Sequence, residues 1–424
     1  MLNRYLGNKS SIIKPIERVI AENSVAGDMV CDPFSGSLVV SFALKNMGFK
    51  VACNDVNLFS HFYGKHLIEQ CSISKINIEK YIPFELTSKY LGLTDEKISL
   101  LMKVDDGYEF LSEKSSRESY RYTLAVILYL NDVANEEEST DRIANYIFDT
   151  YTEDGKHSYF KSSRGSEGRR RFFKPKNGKR IDRILSKVRK WRMDGVLDQG
   201  YLYYTIICSL LDAIEKVSNT HGTYHDFPRE KYDSRSNLDL KLLPPDYDGI
   251  ISSEKTHLVG YCEDSLEFIQ RVPEHSVLYL DPPYNFRQYT SYYFLPNIIC
   301  EYCDIPDLDE YFSNVEHVRG QNMSNNFTSS FSKKKEFINS LHNMVSRSNS
   351  CSVVMSYFDG RNHWNNTSSP SDKIGKEILT DFFSGELFRS DSMSCLPVDR
   401  LNYQSYGGHK ARIVSEYLFL GERS

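Results

Sequence analysis

Short apolar segments separated by a helical segment stand near the start of the chain. Met29-Val-Cys31 runs into the turn-forming residues 32–37, and Lys50 to Asp55 forms a second strand that ends in an acid. Residues 39–47 between them have helical character, and isoleucines at helical spacing predict an earlier helix over 12–20. Strand, helix and strand in this order predict a βαβ unit, in which the two strands run parallel.

Strand character returns in the second half of the chain. It is found at 258–262, at 276–280 directly before Asp281, and at 351–357, which follows a predicted helix over 334–347. The chain closes with a further apolar segment at 413–421. These segments and the first βαβ unit predict an α/β domain made from both ends of the chain.

The middle of the chain has a different texture. Residues 61–250 are polar and helical, with little strand-like alternation. Within them, residues 161–192 contain fourteen Lys and Arg against Glu167 and Asp182, and a helix is predicted at the end of this basic stretch. We therefore predict a catalytic α/β domain over 1–60 plus 251–424, and an inserted helical domain over 61–250.

Composition narrows the class of protein without identifying it. At about 150 residues per domain, 424 residues allow two or three domains. The formal net charge of −5 gives no sign of a nucleic-acid partner, so the uneven charge distribution is the more informative feature. Nine scattered cysteines suit a reduced intracellular protein, and Cys300-x-x-Cys303 lacks the two further donors of a zinc site, so no metal is expected.

The apolar segments are also too short for a membrane protein. The N-terminal residues contain no apolar region of a secretory signal, and the longest apolar stretch, 124–130, is far shorter than the roughly 20 residues that span a bilayer. It is predicted to be a core helix. We expect a protein of the bacterial cytosol or nucleoid that has no contact with a membrane.

Asp281-Pro282-Pro283-Tyr284 is the strongest chemical signal. It follows an apolar strand, and in open α/β sheets ligands bind at the carboxyl ends of strands. A carboxylate and a backbone carbonyl there can accept both hydrogens of an exocyclic adenine amine and localise its delocalised lone pair. The prolines fix φ and lack an N–H, and the tyrosine offers a flat face for a flipped base. The alternative is a simple surface turn, for which Asp-Pro-Pro is also suitable.

Several acidic positions suggest a cofactor site, although each also has a simpler structural explanation. Residues 32–37 lie between a strand and a helix, and Gly36 lets the backbone approach a ligand closely. Asp55 ends the next strand, where an acid can bind both hydroxyls of a ribose, or merely cap a helix. Asp264 ends a strand and heads a helix, so it is also a routine N-cap. Residues 3–9, read alone, form a terminus with a cap at Asn8 or Ser10.

Together these motifs resemble the Dam-like, alpha-group N(6)-adenine DNA methyltransferases. The segments that carry the resemblance, in the family's order, are Tyr5-Leu-Gly-Asn-Lys9, Asp32-Pro-Phe-Ser-Gly36, Asn54-Asp55, Tyr261-Cys-Glu-Asp264-Ser and Asp281-Pro-Pro-Tyr284. Tyr357 resembles the family's later sheet strand. Residues 171–173, 177–182, 217–224 and the tail 406–418 resemble a restriction–modification branch that includes the FokI modification methylase. The likeness spans nearly the whole chain and is loosest in the insertion.

The resemblance implies a Rossmann-like, S-adenosyl-L-methionine-dependent methyltransferase sheet flanked by helices, with an inserted helical domain that recognises DNA. It implies a site-specific, adenine-specific DNA methyltransferase with Asp281, Pro282, Pro283 and Tyr284 as catalytic residues. The implied cofactor-binding positions are Tyr5, Lys9, Asp32, Phe34, Gly36, Asp55 and Asp264. Leu38 departs from the family, which often has another glycine there, and this leaves the path of the turn open.

The implied partner is double-stranded DNA, and a cognate restriction endonuclease is a possible second one. The basic stretch is the candidate for phosphate contacts. The proposed contacts are Arg169, Arg170, Arg171, Lys174 and Lys179. The alternative is a solvated helix face or a basic loop. Asn219 and Tyr224 are candidates for reading bases, but a turn at 219–222 explains them equally well.

Three other functions remain open from the residues alone. The first is an enzyme of the same fold that acts on RNA or on a protein glutamine, although such relatives usually have Asn at the position of Asp281. The second is a DNA-binding homologue that has lost catalysis, against which the intact acids at 32, 55 and 281 argue. The third is an N(4)-cytosine methylase, for which Ser is expected at position 281.

Overall fold

A computed structural model describes residues 2, 4–104, 111–136, 144–163, 165–243, 256–285, 287–323, 326–358, 363–364, 374–401 and 413–424. By its internal contacts the chain forms two compact units. The helical unit comprises Met1–Leu6, Gln70–Ile251 and Ser291–Asn326, and the sheet unit comprises Gly7–Glu69, Ser252–Thr290 and Phe327–Ser424.

The sheet unit is built on seven strands. They are β1 (Met29–Asp32), β2 (Lys50–Cys53), β5 (Leu258–Val259), β6 (His275–Leu280), β7 (Ser350–Phe358), β8 (Ser394–Leu401) and β9 (Ile413–Glu422), with β3 and β4 in the other unit. Their order in the sheet is β5-β2-β1-β6-β7-β9-β8. The first five run parallel, whereas β9 lies antiparallel between β7 and β8.

Helices flank this sheet. They are α1 (Ile13–Ala21), α2 (Val39–Asn46), α3 (Leu58–Tyr63), α9 (Ser265–Arg271), α13 (Phe337–Arg347) and α14 (Ile374–Phe383), with a π-helix at Gly64–Glu69 and 3-10 turns at Ser10–Ile12 and Ser330–Ser332. One continuous core joins α9, α13 and α14 to every second residue of the central strands, such as Leu278 and Leu280 of β6. Because parallel strands are covered on both faces, they form nearly continuous apolar runs, which made them visible in the sequence.

The predicted α/β fold with a mostly parallel sheet flanked by helices is therefore confirmed. All predicted strands are present, and the predicted helix over 334–347 begins three residues later, at Phe337. Strand β8 was not predicted. It is an edge strand that contains Pro397 and alternates only weakly, as edge strands do.

The helical unit contains α4 (Phe84–Val104), α5 (Lys114–Asn135), α6 (Tyr146–Tyr151), α7 (Pro175–Met193), α8 (Tyr201–Val217), α11 (Phe294–Glu301) and α12 (Leu308–Ser313), with 3-10 turns at Ile78–Lys80 and Ser234–Asn237. Helix α10 (Tyr289–Tyr292) crosses the boundary between the units. The predicted core stretch 124–130 lies in α5, and the predicted basic helix is α7, which begins with Pro175 at its first turn, where no N–H is needed. A short hairpin of β3 (Tyr159–Lys161) and β4 (Glu167–Arg169) lies within the basic stretch and was not predicted.

The compact units differ from the predicted domains in three segments. Residues 1–6 and 291–326, predicted to belong to the catalytic domain, group with the helical unit, whereas residues 61–69, predicted to belong to the insertion, group with the sheet unit. For residues 291–326 the grouping has a clear cause: Tyr203 of α8 donates to the Cys300 carbonyl, and Tyr151 of α6 donates to the Gly320 carbonyl. The predicted boundary at 250/251 lies outside the described residues, as does the motif at 406–409.

None of the helices in the described part of the chain combines the length and the apolar character needed to cross a bilayer.

Candidate active site

The Asp281 motif leaves the sheet at its centre. Strand β6 ends at Leu280, between β1 and β7, and Asp281 follows directly in irregular backbone. Its side chain is 19% exposed, so the carboxylate is close-packed yet open to one side. Burial raises the pKa of Asp281 to about 6, and the Lys9 ammonium opposes that rise. The group is therefore an ionised acceptor above about pH 6.

The other residues of the motif are held by the core. Pro282 is buried, and the Tyr284 ring packs edge-on against Tyr357 of β7 with centroids 5.5 Å apart. The Tyr284 carbonyl also accepts the His363 N–H at 3.0 Å. The motif is thus not a loose surface turn, because β7 and the segment at 363 hold its last residue in place.

Asp32 ends β1, the strand beside β6. It is 1% exposed, and its Oδ2 accepts the Ser41 hydroxyl at 2.6 Å, whereas among the described residues no donor lies within hydrogen-bonding geometry of its buried Oδ1. Burial raises the pKa of Asp32 to about 7, and the nearby Asp281 and Asp55 add to the rise. A buried acceptor without a donor is costly, so this oxygen suits a ligand that brings a donor or a positive charge.

The turn after Asp32 is tight and partly strained. Gly36 has φ +48° and Leu38, at the start of α2, has φ +66°. The left-handed conformation costs a residue with a Cβ roughly 1–2 kcal/mol, which explains why a glycine is common where this chain has Leu38. Leu38 is nevertheless fully buried, and its N–H donates to the Ser35 carbonyl at 2.7 Å. The turn therefore exists as predicted, with a buried leucine in place of a glycine.

Asp55 closes the same turn from the next strand. Its Oδ2 accepts the Gly36 N–H at 3.1 Å, and its Oδ1 accepts both the backbone and the side-chain amide of Asn57 at 2.9 Å. Burial raises the pKa of Asp55, and these hydrogen bonds oppose the rise. The carboxylate is thus fixed beside the glycine turn by its hydrogen bond with Gly36.

The remaining predicted cofactor residues have different kinds of surroundings. Phe34 packs edge-on against Phe331 at 5.0 Å. Asp264 caps α9 by accepting the Leu266 N–H at 2.8 Å, so its structural explanation holds and its cofactor role stays a prediction. Tyr5 belongs to the helical unit, where its ring stacks on Tyr293 at 4.7 Å. Its cofactor role likewise stays a prediction.

Lys9 has surroundings that the sequence did not predict. It is 5% exposed, and its ammonium contacts Asp281 Oδ1 at 3.0 Å and Glu416 Oε1. Although burial opposes it, these two carboxylates raise the pKa of Lys9 well above its usual value. Lys9 therefore contacts the Asp281 carboxylate directly, and its predicted contact with the cofactor stays a prediction.

Glu416 of β9 was not predicted as a site residue. It is 1% exposed and lies two residues after Val414 in an apolar strand. A charged residue at a buried strand position requires charged partners, and that pattern was the available signal.

Three carboxylates thus lie at the carboxyl-terminal ends of adjacent parallel strands. Asp281 follows β6, Asp32 ends β1 and Asp55 follows β2, and together they form an acidic edge. Their mutual repulsion raises the pKa of Asp32 beyond the effect of burial. A cationic ligand would relieve both the repulsion and the unpartnered Asp32 oxygen. Among the described residues, no group of three or more His, Cys, Asp or Glu is arranged to hold a metal ion.

One of the predicted DNA contacts is incompatible with its surroundings. Arg170 is 1% exposed, and its guanidinium donates to the carbonyls of His157 and His317 at 2.9 Å and Val318 at 3.1 Å. It cannot reach a phosphate without unfolding this region, so the prediction for Arg170 is wrong. Its role is to join the basic stretch to residues 317–320.

Two other predicted contacts are engaged within the helical unit. Arg171 pairs with Glu153 at 3.1 Å and lies over the Tyr232 ring. Lys174 donates to Asn237 and lies over the same ring. Arg169 and Lys179 are exposed, although Arg169 also donates to the Gly155 carbonyl.

Several other basic residues of this stretch also have partners within the helical unit. These partners include Asp239 for Lys176 and Arg180, the Tyr302 carbonyl for Arg189, and Asp304 for Arg192. Asn219 is buried and donates to the Arg171 carbonyl, and Tyr224 is buried as well. Their structural explanation is therefore sufficient.

The chain belongs to the D12 class N6 adenine-specific DNA methyltransferase family, whose profile matches residues 5–353. The resemblance to adenine DNA methyltransferases inferred from the motifs is confirmed. The matched residues include the acidic edge described above, from Asp32 to Asp281.

Curated relatives agree with this assignment at low identity. The modification methylase StsI of Streptococcus sanguinis is 23% identical over 423 residues, which cover 99% of this chain and 52% of StsI. The type II methyltransferase M.FokI of Planomicrobium okeanokoites is 26% identical over 356 residues, which cover 84% of this chain and 44% of M.FokI. The type II methyltransferase M.NlaIII of Neisseria lactamica is 24% identical over 303 residues, or 71% of this chain and 70% of the relative.

These relatives confirm the predicted likeness to the restriction–modification branch that includes the FokI enzyme. The chain spans about half the length of the StsI and FokI relatives.

Proposed function

We propose that this chain transfers a methyl group from S-adenosyl-L-methionine to the exocyclic 6-amino group of an adenine flipped out of duplex DNA. It would act in the bacterial cytosol as the modification enzyme of a restriction–modification or related defence system, alongside a cognate endonuclease. The observation that carries the proposal is the position of Asp281, ionised above about pH 6 and open to one side, beside the acidic edge formed by Asp32 and Asp55.

The residues of the motif divide the work of orienting the amine. The Asp281 carboxylate and the Pro282 carbonyl would accept its two hydrogens, so that the lone pair is localised and points away from them. Pro283 has no N–H to compete for these acceptors. Tyr284, held against Tyr357, would stack on the flipped base. Catalysis then rests on positioning and electrostatics, with no covalent intermediate.

The acidic edge fits the proposed cofactor, which supplies an electrophilic methyl group on a positively charged sulfur. Asp55 would bind the ribose hydroxyls, and the unpartnered Asp32 oxygen would face a positive or donor group. Phe34, Gly36, Asp264, Tyr5 and Lys9 remain the other proposed contacts.

Replacing Asp55 with asparagine tests this arrangement. The amide keeps the shape and one acceptor oxygen, so it can serve either the Gly36 N–H or the Asn57 amides, and the charge-assisted bonds to the ribose are lost. We expect the dissociation constant for S-adenosylmethionine, measured by calorimetry, to rise about 10- to 100-fold. Affinity for duplex DNA should be unchanged, and unaltered cofactor affinity in the folded variant would remove Asp55 from the cofactor site.

We propose that the helical unit contacts the DNA, with Arg169 and Lys179 as phosphate contacts. Both are exposed, and within the described part of the chain neither forms a salt bridge with a carboxylate. The double substitution of both with alanine should weaken binding to all sequences alike and reduce the slope of log K against log salt by about 2. The slope is measured by fluorescence anisotropy at several salt concentrations. An unchanged slope would show that other residues make the phosphate contacts.

Labelled S-adenosylmethionine tests the proposed function against its rivals. Offered duplex DNA, RNA and protein, the purified chain should label DNA, and nucleoside analysis should find the label in N6-methyladenine. Label in RNA, in protein or in N4-methylcytosine would favour a rival substrate of the same fold. DNA binding without any transfer would favour a non-catalytic homologue.

A further inference from the structure

Glu416 is a buried carboxylate whose two oxygens are both occupied. Its Oε1 accepts the Ser356 hydroxyl at 2.7 Å and the Lys9 ammonium, and its Oε2 accepts Arg400 Nε at 2.7 Å. The residue lies on β9, which joins β7, the carrier of Ser356, to β8, the carrier of Arg400. Burial alone would raise the pKa of Glu416, but Lys9 and Arg400 outweigh it and lower the pKa to about 2. Glu416 is therefore ionised at any pH at which the protein would work.

These contacts form a row of alternating charges that ends at the catalytic motif. Asp281 contacts Lys9 at 3.0 Å, Lys9 contacts Glu416, and Glu416 contacts Arg400. Lys9 and Glu416 are almost completely buried, and the Arg400 side chain is 17% exposed. The four formal charges cancel. Removal of any one therefore leaves a neighbouring side chain of the row with an uncompensated charge.

We propose that Glu416, backed by Arg400, is a positioning residue that limits how tightly Lys9 pairs with Asp281 and so keeps Asp281 available to the amine. This inference rests on the proposed function, because it gives Asp281 the task of accepting an amine hydrogen. It assigns Lys9 to the catalytic carboxylate and gives the two antiparallel strands β8 and β9 a part in the reaction.

The physical reason is competition for one carboxylate. An ammonium that paired with Asp281 alone would occupy an oxygen that the amine needs and would hold it in a strong, charge-assisted bond. A lysine ammonium has three donors, and Glu416 engages at least one of them. Sharing the lysine leaves enough positive charge beside Asp281 to favour its ionised form without consuming its acceptor capacity.

The charged and titratable groups around Asp281 fix the direction of the expected effects. Lys9 and Arg400 lower its pKa, whereas Glu416 raises it. The other facing groups are Asp32, Tyr279, Tyr284 and Tyr289. Burial raises the pKa of all three tyrosines, so they stay neutral while Asp281 titrates.

Two substitutions in the row should therefore act in opposite directions. Glu416→Gln removes a negative charge, so Asp281 stays ionised to lower pH and the acid limb of kcat/KM should move down by about one pH unit. Lys9 then pairs with Asp281 alone, and kcat on the plateau should fall about 10-fold. Arg400→Gln removes a positive charge, so the acid limb should move up.

Glu422→Gln is the matched control. It makes the same chemical change on the same strand, at an exposed residue whose partner is Arg389 at 3.1 Å. We expect neither the plateau nor the acid limb to move. A purely structural role for Glu416 would lower activity at every pH and leave the acid limb in place.

The experiment measures kcat/KM for duplex DNA against pH at saturating S-adenosylmethionine, in the wild type and the three variants. Opposite shifts for Glu416→Gln and Arg400→Gln support the proposal. Unmoved limbs, or limbs that move the same way, overturn it. If Glu416→Gln does not fold, Arg400→Gln decides by itself: an upward shift supports the proposal and no shift overturns it.

A second readout needs no turnover. The Asp281 carboxyl signal in ¹³C-aspartate-labelled protein, assigned by its loss in Asp281→Ala, should titrate lower in Glu416→Gln and higher in Arg400→Gln. If the two variants show these shifts but the wild type methylates nothing, the proposed function is contradicted and the inference about the charge row stands. If the wild type methylates DNA but the two variants show no such shifts, only the inference is contradicted.

Discussion

Asp281→Ala should lower methyl transfer to duplex DNA by about 10³-fold or more, because the variant loses the charged acceptor that localises the lone pair of the amine. The loss should appear in kcat, since this interaction develops as the amine attacks. Folding should survive, because Lys9 keeps Glu416 as its partner and the backbone of the motif remains packed through Tyr284. Single-turnover assays with labelled S-adenosylmethionine measure the effect.

Asp399→Ala is a suitable control for this experiment. Asp399 is an exposed residue of β8 in the same unit, and in the described structure its carboxylate accepts a hydrogen bond only from the Ser415 hydroxyl. Its turnover should match the wild type, and both variants should retain most of the affinity for DNA. Near-normal turnover by Asp281→Ala would remove the central mechanistic claim.

Arg170→Ala should destabilise the protein more than alanine substitution of the exposed lysines and arginines of the basic stretch. The variant leaves the partly buried hydrogen bonds to the carbonyls at 157, 317 and 318 without their donor, and it removes a large buried side chain. We expect a loss of about 3 kcal/mol or more, which corresponds to a fall in Tm of about 10 °C for the helical unit.

Gly320 shows how tightly this region is packed. It has φ +87°, and a Cβ there would lie 2.5 Å from the Tyr151 ring and 3.0 Å from Arg170 Cδ. The adjacent Arg169→Ala is the control for Arg170→Ala, since Arg169 is exposed and its loss should change Tm by no more than about 2 °C. Equal Tm values for the two variants, measured by scanning calorimetry, would show that Arg170 does not hold the 317–320 segment.

The parts of the site that follow central strands were predictable from the sequence. Asp32, Asp55 and Asp281 each come at or just after the end of a strand, and parallel strands bring such residues to one edge of a sheet. The strands themselves are apolar because both faces are covered. Local pattern and three-dimensional position therefore agree at these residues.

The parts that depend on distant contacts were not predictable. A lysine at position 9 reads as a terminal loop residue, and only the fold shows that it lies between Asp281 and Glu416, 407 residues away from the latter. Arg170 looked like its neighbours 169 and 171 because charge runs do not record which side chain points inward. The sequence predicted that the whole basic stretch is a DNA-binding surface. Several of its side chains instead pair with carboxylates or carbonyls inside the helical unit.

The central claim is methylation of adenine in DNA through Asp281. The most direct measurement is single-molecule sequencing of DNA from a host without adenine methylation that expresses either the chain or its Asp281→Ala variant. The wild type should place N6-methyladenine in one sequence context, and the variant should leave that context unmodified. Modified cytosine, or equal adenine methylation by both proteins, would contradict the account.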